Sequence, residues 1–151
     1  MVFLALSFGL TETTFRHMFI PKNFKFKKQQ KGKSIKKIFS SALVPSTGCI
    51  KLKALAFGRL SSDQLKALKQ AVNKIIKKRG RIIFKIFPQT PITKKPIEVR
   101  MGKGKGGVSH WVAKVQPGTV ICFVESEFLM LASKALNYGR IRLPLKTKIF
   151  A

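Results

Sequence analysis

Residues Arg100 to Trp111 read RMGKGKGGVSHW, with Gly102, Gly104, Gly106 and Gly107 set around Lys103 and Lys105. Core packing does not account for such a segment, because glycine weakens helix and strand alike and lysine resists burial. Close approach to phosphate does. The glycines let the backbone bend and come near a nucleic-acid surface, the lysines carry charge, and Arg100 supplies a planar fork for bidentate contact. The plainer reading of the same residues is a floppy hairpin tip at the surface.

The spacing also fits a dinucleotide fingerprint, GxGxxG at Gly102, Gly104 and Gly107, with Glu125 near the acidic position. The context does not. That motif needs a helix opening at its third glycine, whereas Ser109 to Val115 alternates with a period of two and Pro117-Gly118 breaks a helix. No Gly-Lys-Ser/Thr follows at the spacing of a P-loop. Other catalytic material is thin: His17 and His110 are the only histidines, and the five acids are not clustered as a metal or acid/base site requires. His110, beside Trp111 at a strand entrance, reads as a packing or base-stacking residue. Cys49 and Cys122 stand in alternating apolar runs with no CxxC, the pattern of reduced, buried strand residues. No enzymatic activity, metal or cofactor is expected.

Charge names the class of partner. Lys and Arg outnumber Asp and Glu by 31 to 5 in 151 residues, a formal charge of +26, so most cations have no acid to pair with. A folded domain tolerates such self-repulsion when a polyanion neutralises it: nucleic acid first, an anionic membrane surface second. Membrane insertion is not expected. The apolar stretch Met1 to Leu10 is far short of the roughly 20 residues that cross a bilayer, and it lacks the positive start of a secretory signal.

These residues must be positioned by a fold with one hydrophobic core. Residues 1–20 read as an N-terminal extension, targeting or lineage-specific. Residues 21–47 read as a basic arm and linker. Its segment PKNFKFKKQQKGKSIKK carries eight lysines and no acid, so an RNA groove is expected to order it, with Phe24 and Phe26 free to stack or to anchor it, and a solvated disordered tail is the plainer alternative. Residues 48–151 form the domain. GCIKLKAL (48–55) alternates as a half-exposed strand presenting Lys51 and Lys53. Ser61 and Gln64 make a capping box for a helix through Leu65, Leu68, Val72 and Ile76, with Gly80 as its left-handed stop. Arg81 to Phe87 reads as a central strand, and Pro91 to Pro96 as a stiff loop. Gln116-Pro117-Gly118 turns Ser109–Val115 into Val120–Val124 as in a hairpin. Ser126 could cap a second helix carrying Phe128, Leu131, Ala132, Ala135 and Leu136, ended by Asn137 to Gly139. Ile141 to Ile149, with Pro144, suits an edge strand. The class is α+β: a two-layer sandwich of a mostly antiparallel sheet with two helices on one face, plus the basic N-terminal arm.

The run FPQTPITKKPIEVRMGKGKGGVSHWVAKVQPG closely resembles the signature region of bacterial-type large ribosomal subunit protein sixteen, whose cytosolic eukaryotic counterpart is called protein ten. PKNFKFKKQQKGK resembles that family's basic N-terminal stretch, LKALAFGRLSSDQLKAL its first strand and helix, and LPLKTK its final strand. Ala56-Phe57 departs from the glycine-arginine pair common in the family. The resemblance implies a structural protein of the large ribosomal subunit that binds its rRNA and has neighbouring ribosomal proteins as partners. The expected rRNA contacts are Lys22, Lys25, Lys27, Lys28, Lys31 and Lys33 of the arm, Lys51, Lys53 and Arg59, and Lys77, Lys78, Arg79 and Arg81. It also implies that the loop 100–110, with Arg100, Met101, Gly102, Lys103, Gly104, Lys105, Gly106 and His110, reaches toward the peptidyl transferase region and helps to seat A-site tRNA. A free-standing basic RNA-binding module outside the ribosome is the alternative. Divergence around an intact loop, the extension, and a composition rich in Phe, Ile and Lys point to a mitochondrial ribosome, with a plastid or bacterial cytoplasm as alternatives.

Overall fold

Along Cys49–Ala54 (β1), Ile50, Leu52 and Ala54 are buried while Lys51 and Lys53 are half-exposed, so the expected alternation decides which face meets the core. The structure, a computed structural model, describes residues 19–30, 32 and 48–151. Lys31, Lys33, the extension up to residue 18 and most of the linker lie outside the described residues. β2 (Gly58–Ser61) runs directly into α1 (Ser62–Ile76). The capping box forms as read: the Gln64 N–H donates to Ser61 Oγ at 3.3 Å and the Ser61 N–H to Gln64 Oε1 at 2.9 Å.

The remaining elements are β3 (Gly80–Phe84), β4 (Thr90–Lys94), β5 (Gly107–Val115), β6 (Val120–Ser126), α2 (Leu129–Arg140) and β7 (Thr147–Phe150). The α+β class holds, but the strands divide into two antiparallel sheets, ordered β3-β6-β1-β7 and β2-β5-β4. The hairpin expected at Gln116–Gly118 is therefore not one, because β5 and β6 belong to different sheets. Backbone bonds explain the redirection. The Gly118 N–H donates to Ala54 O at 2.8 Å and the Ala54 N–H to Thr119 O at 3.0 Å, fastening the turn to the end of β1. β6 then continues along β1.

Three further expectations are corrected. β3 is an edge strand, not a central one, and Pro91 sits within edge strand β4 opposite Trp111, where its missing N–H is tolerated. Gly80 does not stop α1: Lys77 takes the positive φ of 54°, and Gly80 opens β3. A Cβ on Gly80 would lie 2.5 Å from the Glu125 carbonyl oxygen, so the glycine serves the close pairing of β3 with β6. Gly139 likewise lies inside α2, where a Cβ would come within 2.7 Å of Leu68 Cδ1 and 2.8 Å of Val72 Cγ2. The helices approach closely there, and α2 runs on to Arg140. Ser126 accepts the Phe128 N–H at 3.3 Å and donates to the Arg79 carbonyl at 2.9 Å, but α2 starts without a side-chain cap and Phe128 is exposed. β7 is an edge strand, as read, beginning only after Pro144.

Leu52, Leu65, Leu68, Val72, Ile76, Val124 and Leu136 join one core between the helices and the four-stranded sheet. Each such fully buried side chain contributes about 1.5–3 kcal/mol. Cys49 and Cys122 are free and buried, and burial pushes the Cys122 thiol well above its ordinary range.

Candidate nucleic-acid interface

The arm and the last residues ahead of it are fastened to the domain by aromatic rings. Phe19 is buried in the core with its ring edge-on to Phe84 at 5.1 Å. Phe24 lies 5.0 Å from Trp111 of β5 at 51°. Phe26 is 70% exposed, and Lys25 Nζ is 5.7 Å from its centroid. One phenylalanine therefore anchors the arm and the other stays open to a ligand. Lys22, Lys25, Lys27 and Lys28 are all exposed.

The glycine-lysine segment occupies the β4–β5 connection. Gly102, Lys103 and Gly104 have φ values of 101°, 52° and 81°, three consecutive residues in the left-handed region. No atom lies within 4 Å of a Cβ built on Gly102 or Gly104, so these glycines answer to backbone conformation and not to crowding. Lys103, which has a Cβ, adopts the same conformation at a cost of about 1–2 kcal/mol. Gly106 answers to crowding, since a Cβ there would meet the Lys94 carbonyl oxygen at 2.7 Å.

Three lysines hold this loop in shape. The Lys95 ammonium donates to the Gly102 carbonyl and the Lys105 ammonium to the Gln29 carbonyl, while Lys28 Nζ donates to the Lys105 carbonyl at 2.8 Å. The arm and the loop, 76 residues apart, are thus reciprocally bonded. Lys105 is committed to the arm. Arg100 and Lys103 are exposed and have no hydrogen-bond or ion-pair partner among the described residues. Met101 is 97% exposed. His110 is exposed at the start of β5, its Nδ1 3.3 Å from Ser109 Oγ.

The other expected contacts stand apart from this unit. Lys53 and Lys148 place their ammonium groups 4.9 and 5.5 Å from the centroid of Phe150, on the β1–β7 side of the larger sheet, and Lys51 pairs with Phe150 in the same register. Arg59 of β2 faces Lys114 of β5. Lys77, Lys78, Arg79 and Arg81 are exposed around the α1–β3 turn. Arg81 Nε is 2.6 Å from Glu125 Oε2, and the Arg79 guanidinium is 5.9 Å from the Phe128 ring centre. Sequence reasoning missed Lys95, Lys114 and Lys148. The pairing of Lys114 with Arg59 and of Lys148 with Lys53 depends on strand register, which the alternation of either strand alone does not reveal.

Among the described residues no group of histidine, cysteine or acid could hold a metal ion, and no helix is long and apolar enough to cross a membrane. What the arrangement offers is exposed cations, an open aromatic ring and a glycine-shaped loop. The model of the ribosomal protein L16p/L10e family matches residues 21–150, which include the arm, both sheets and both helices. The chain belongs to that family. It is 44% identical over 130 residues to large ribosomal subunit protein uL16 of Dichelobacter nodosus, covering 86% of this chain and 94% of the relative. The protein of that name from Blochmanniella pennsylvanica is 43% identical over 129 residues, covering 85% and 95%. The one from Rhodopseudomonas palustris is 42% identical over 134 residues, covering 89% and 97%.

Proposed function

We propose that the chain binds large-subunit rRNA through its basic arm and outlying cations, and presents the 100–110 loop toward the peptidyl transferase region to help position A-site tRNA. As a family member it is a structural, non-enzymatic protein of the large ribosomal subunit. The reciprocal bonding of Lys28 and Gln29 with Lys105 carries the finer reading. Anchoring the arm on rRNA fixes the loop at the same time, and Arg100 and Lys103, which have no partner among the described residues, are left for a second phosphate backbone.

The contact set takes the exposed cations Lys22, Lys25, Lys27 and Lys28 on the arm and Lys77, Lys78, Arg79 and Arg81 at the turn, with the half-exposed Lys51, Lys53 and Arg59 on the sheets. Residues 21–47 act as the rRNA-binding arm and linker, 48–151 as the domain, and 1–20 as an extension ahead of the family match. That extension and the Phe-, Ile- and Lys-rich composition support a mitochondrial ribosome, which fractionation of the source cell with an antibody to the chain would test. For the loop, Lys103→Gln in reconstituted large subunits should slow tRNA accommodation while leaving incorporation intact. Normal accommodation, or failed incorporation, would overturn the loop's role.

A further inference from the structure

A cleft of about 440 Å3 opens where the arm, the first turn of α1 and the start of β5 meet. Its volume falls among those of small-ligand sites, about 300–1,000 Å3. Its walls are chemically divided. Lys22 and Lys27 come from the arm, Asp63 and Lys66 from α1, and Ser109, His110 and Trp111 from β5. Asp63 Oδ1 accepts from Lys66 Nζ at 3.0 Å, so those two charges are matched to each other. Lys22 and Lys27 remain, beside an aromatic wall and the Ser109 hydroxyl.

We propose that this cleft holds one unpaired nucleotide of an RNA strand, a site that deepens, and rests on, the rRNA-binding reading above. The phosphodiester sits at Lys22 and Lys27, the base stacks on the His110 and Trp111 side, and the Ser109 hydroxyl and Asp63 carboxylate meet the polar edge of the base. Unstacked bases are taken up in this way, on aromatic faces with hydrogen bonds to their edges. Lys22 and Lys27, with no partner among the described residues, can meet the charge of a phosphodiester and of its neighbour along the strand. A free nucleoside triphosphate lacks the flanking phosphodiesters that the neighbouring arm lysines would hold, so it should bind more weakly than a strand. A paired helix cannot enter, because its bases are stacked and its readable groove is closed to side chains.

Trp111 is the chain's only tryptophan, so its fluorescence reports from the cleft itself. The full chain is titrated with a short single-stranded RNA, with a fully paired RNA duplex, and with ATP. The single strand should quench Trp111, and His110→Ala or the pair Lys22→Gln/Lys27→Gln should weaken that quenching titration by about fivefold or more. Equal quenching by ATP or by the duplex would overturn the proposal, as would single-strand binding that leaves Trp111 emission unchanged. His110 is exposed, so its replacement spares the fold. Cosedimentation with large subunits is measured in parallel: no quenching by a chain that still cosediments overturns the cleft alone, whereas loss of cosedimentation by the unaltered chain overturns the ribosomal reading beneath it.

Discussion

Removing the Phe24 ring tests whether the arm and the loop act as one unit. The ring is half-buried against Trp111. Full burial of a phenylalanine stabilises by about 1.5–3 kcal/mol and an aromatic pair adds about 0.5–1.5, so half of the first with the second gives about 2 kcal/mol. At about 1.4 kcal/mol per tenfold change, Phe24→Ala should reduce the docked arm roughly thirtyfold relative to the released one. Trp111 would lose its cover and its emission should shift to the red. Affinity for a large-subunit rRNA fragment should fall with it. Lys105→Met weakens the same docking by removing the bond to Gln29, so on its own it should also lower affinity. In the Phe24→Ala background it should cost little more, because its partner has already left. The double-mutant cycle decides. Strictly additive losses, or an unchanged Trp111 spectrum in Phe24→Ala, would refute the coupling.

Three other outcomes are expected. Neutralising Lys22, Lys25 and Lys27 should flatten the dependence of log affinity on log salt by about 0.7–0.9 per lost phosphate contact, about two to three units in all, measured by titrations across a salt series. Gly80→Ala should destabilise the chain by about 1–3 kcal/mol in urea unfolding, because its Cβ meets a backbone oxygen, whereas Gly107→Ala, with open space around its Cβ, should not. The buried Cys122 thiol has its pKa raised, so the unfolded chain ionises first. Stability should be level below the ordinary thiol range and fall as pH rises through it, by up to about 1.4 kcal/mol per unit. Comparison with Cys122→Ala should remove that component.

Much of the fold was legible because its signals are local. The capping box at Ser61 and Gln64, the alternation along β1 and the amphipathic spacing of α1 each involve residues within a few positions of one another. The misreadings involve partners far along the chain. Gly80 and Gly139 resemble helix stops in sequence, yet each marks a close approach to Glu125 or to Leu68 and Val72. Pro117-Gly118 is a turn, as read, but its hydrogen bonds to Ala54 send the chain into a second sheet. The candidate site follows the same rule. Composition isolates the arm and the loop as separate cationic segments, while the bonds that join Lys28 and Gln29 to Lys105 span half of the chain and leave no periodic trace. The choice between stacking and anchoring for Phe24 and Phe26 was also open until Trp111 was placed.

Cleavage of rRNA by a probe at the tip of the loop reports where in the subunit the loop lies. Met101, 97% exposed, is replaced by cysteine and tethered to an iron chelate that releases hydroxyl radicals. The buried Cys49 and Cys122 stay unlabelled in the native chain. In large subunits reconstituted with the labelled protein, cuts should cluster in the rRNA of the peptidyl transferase region. Full incorporation with cuts confined to other parts of the subunit would contradict that placement of the loop.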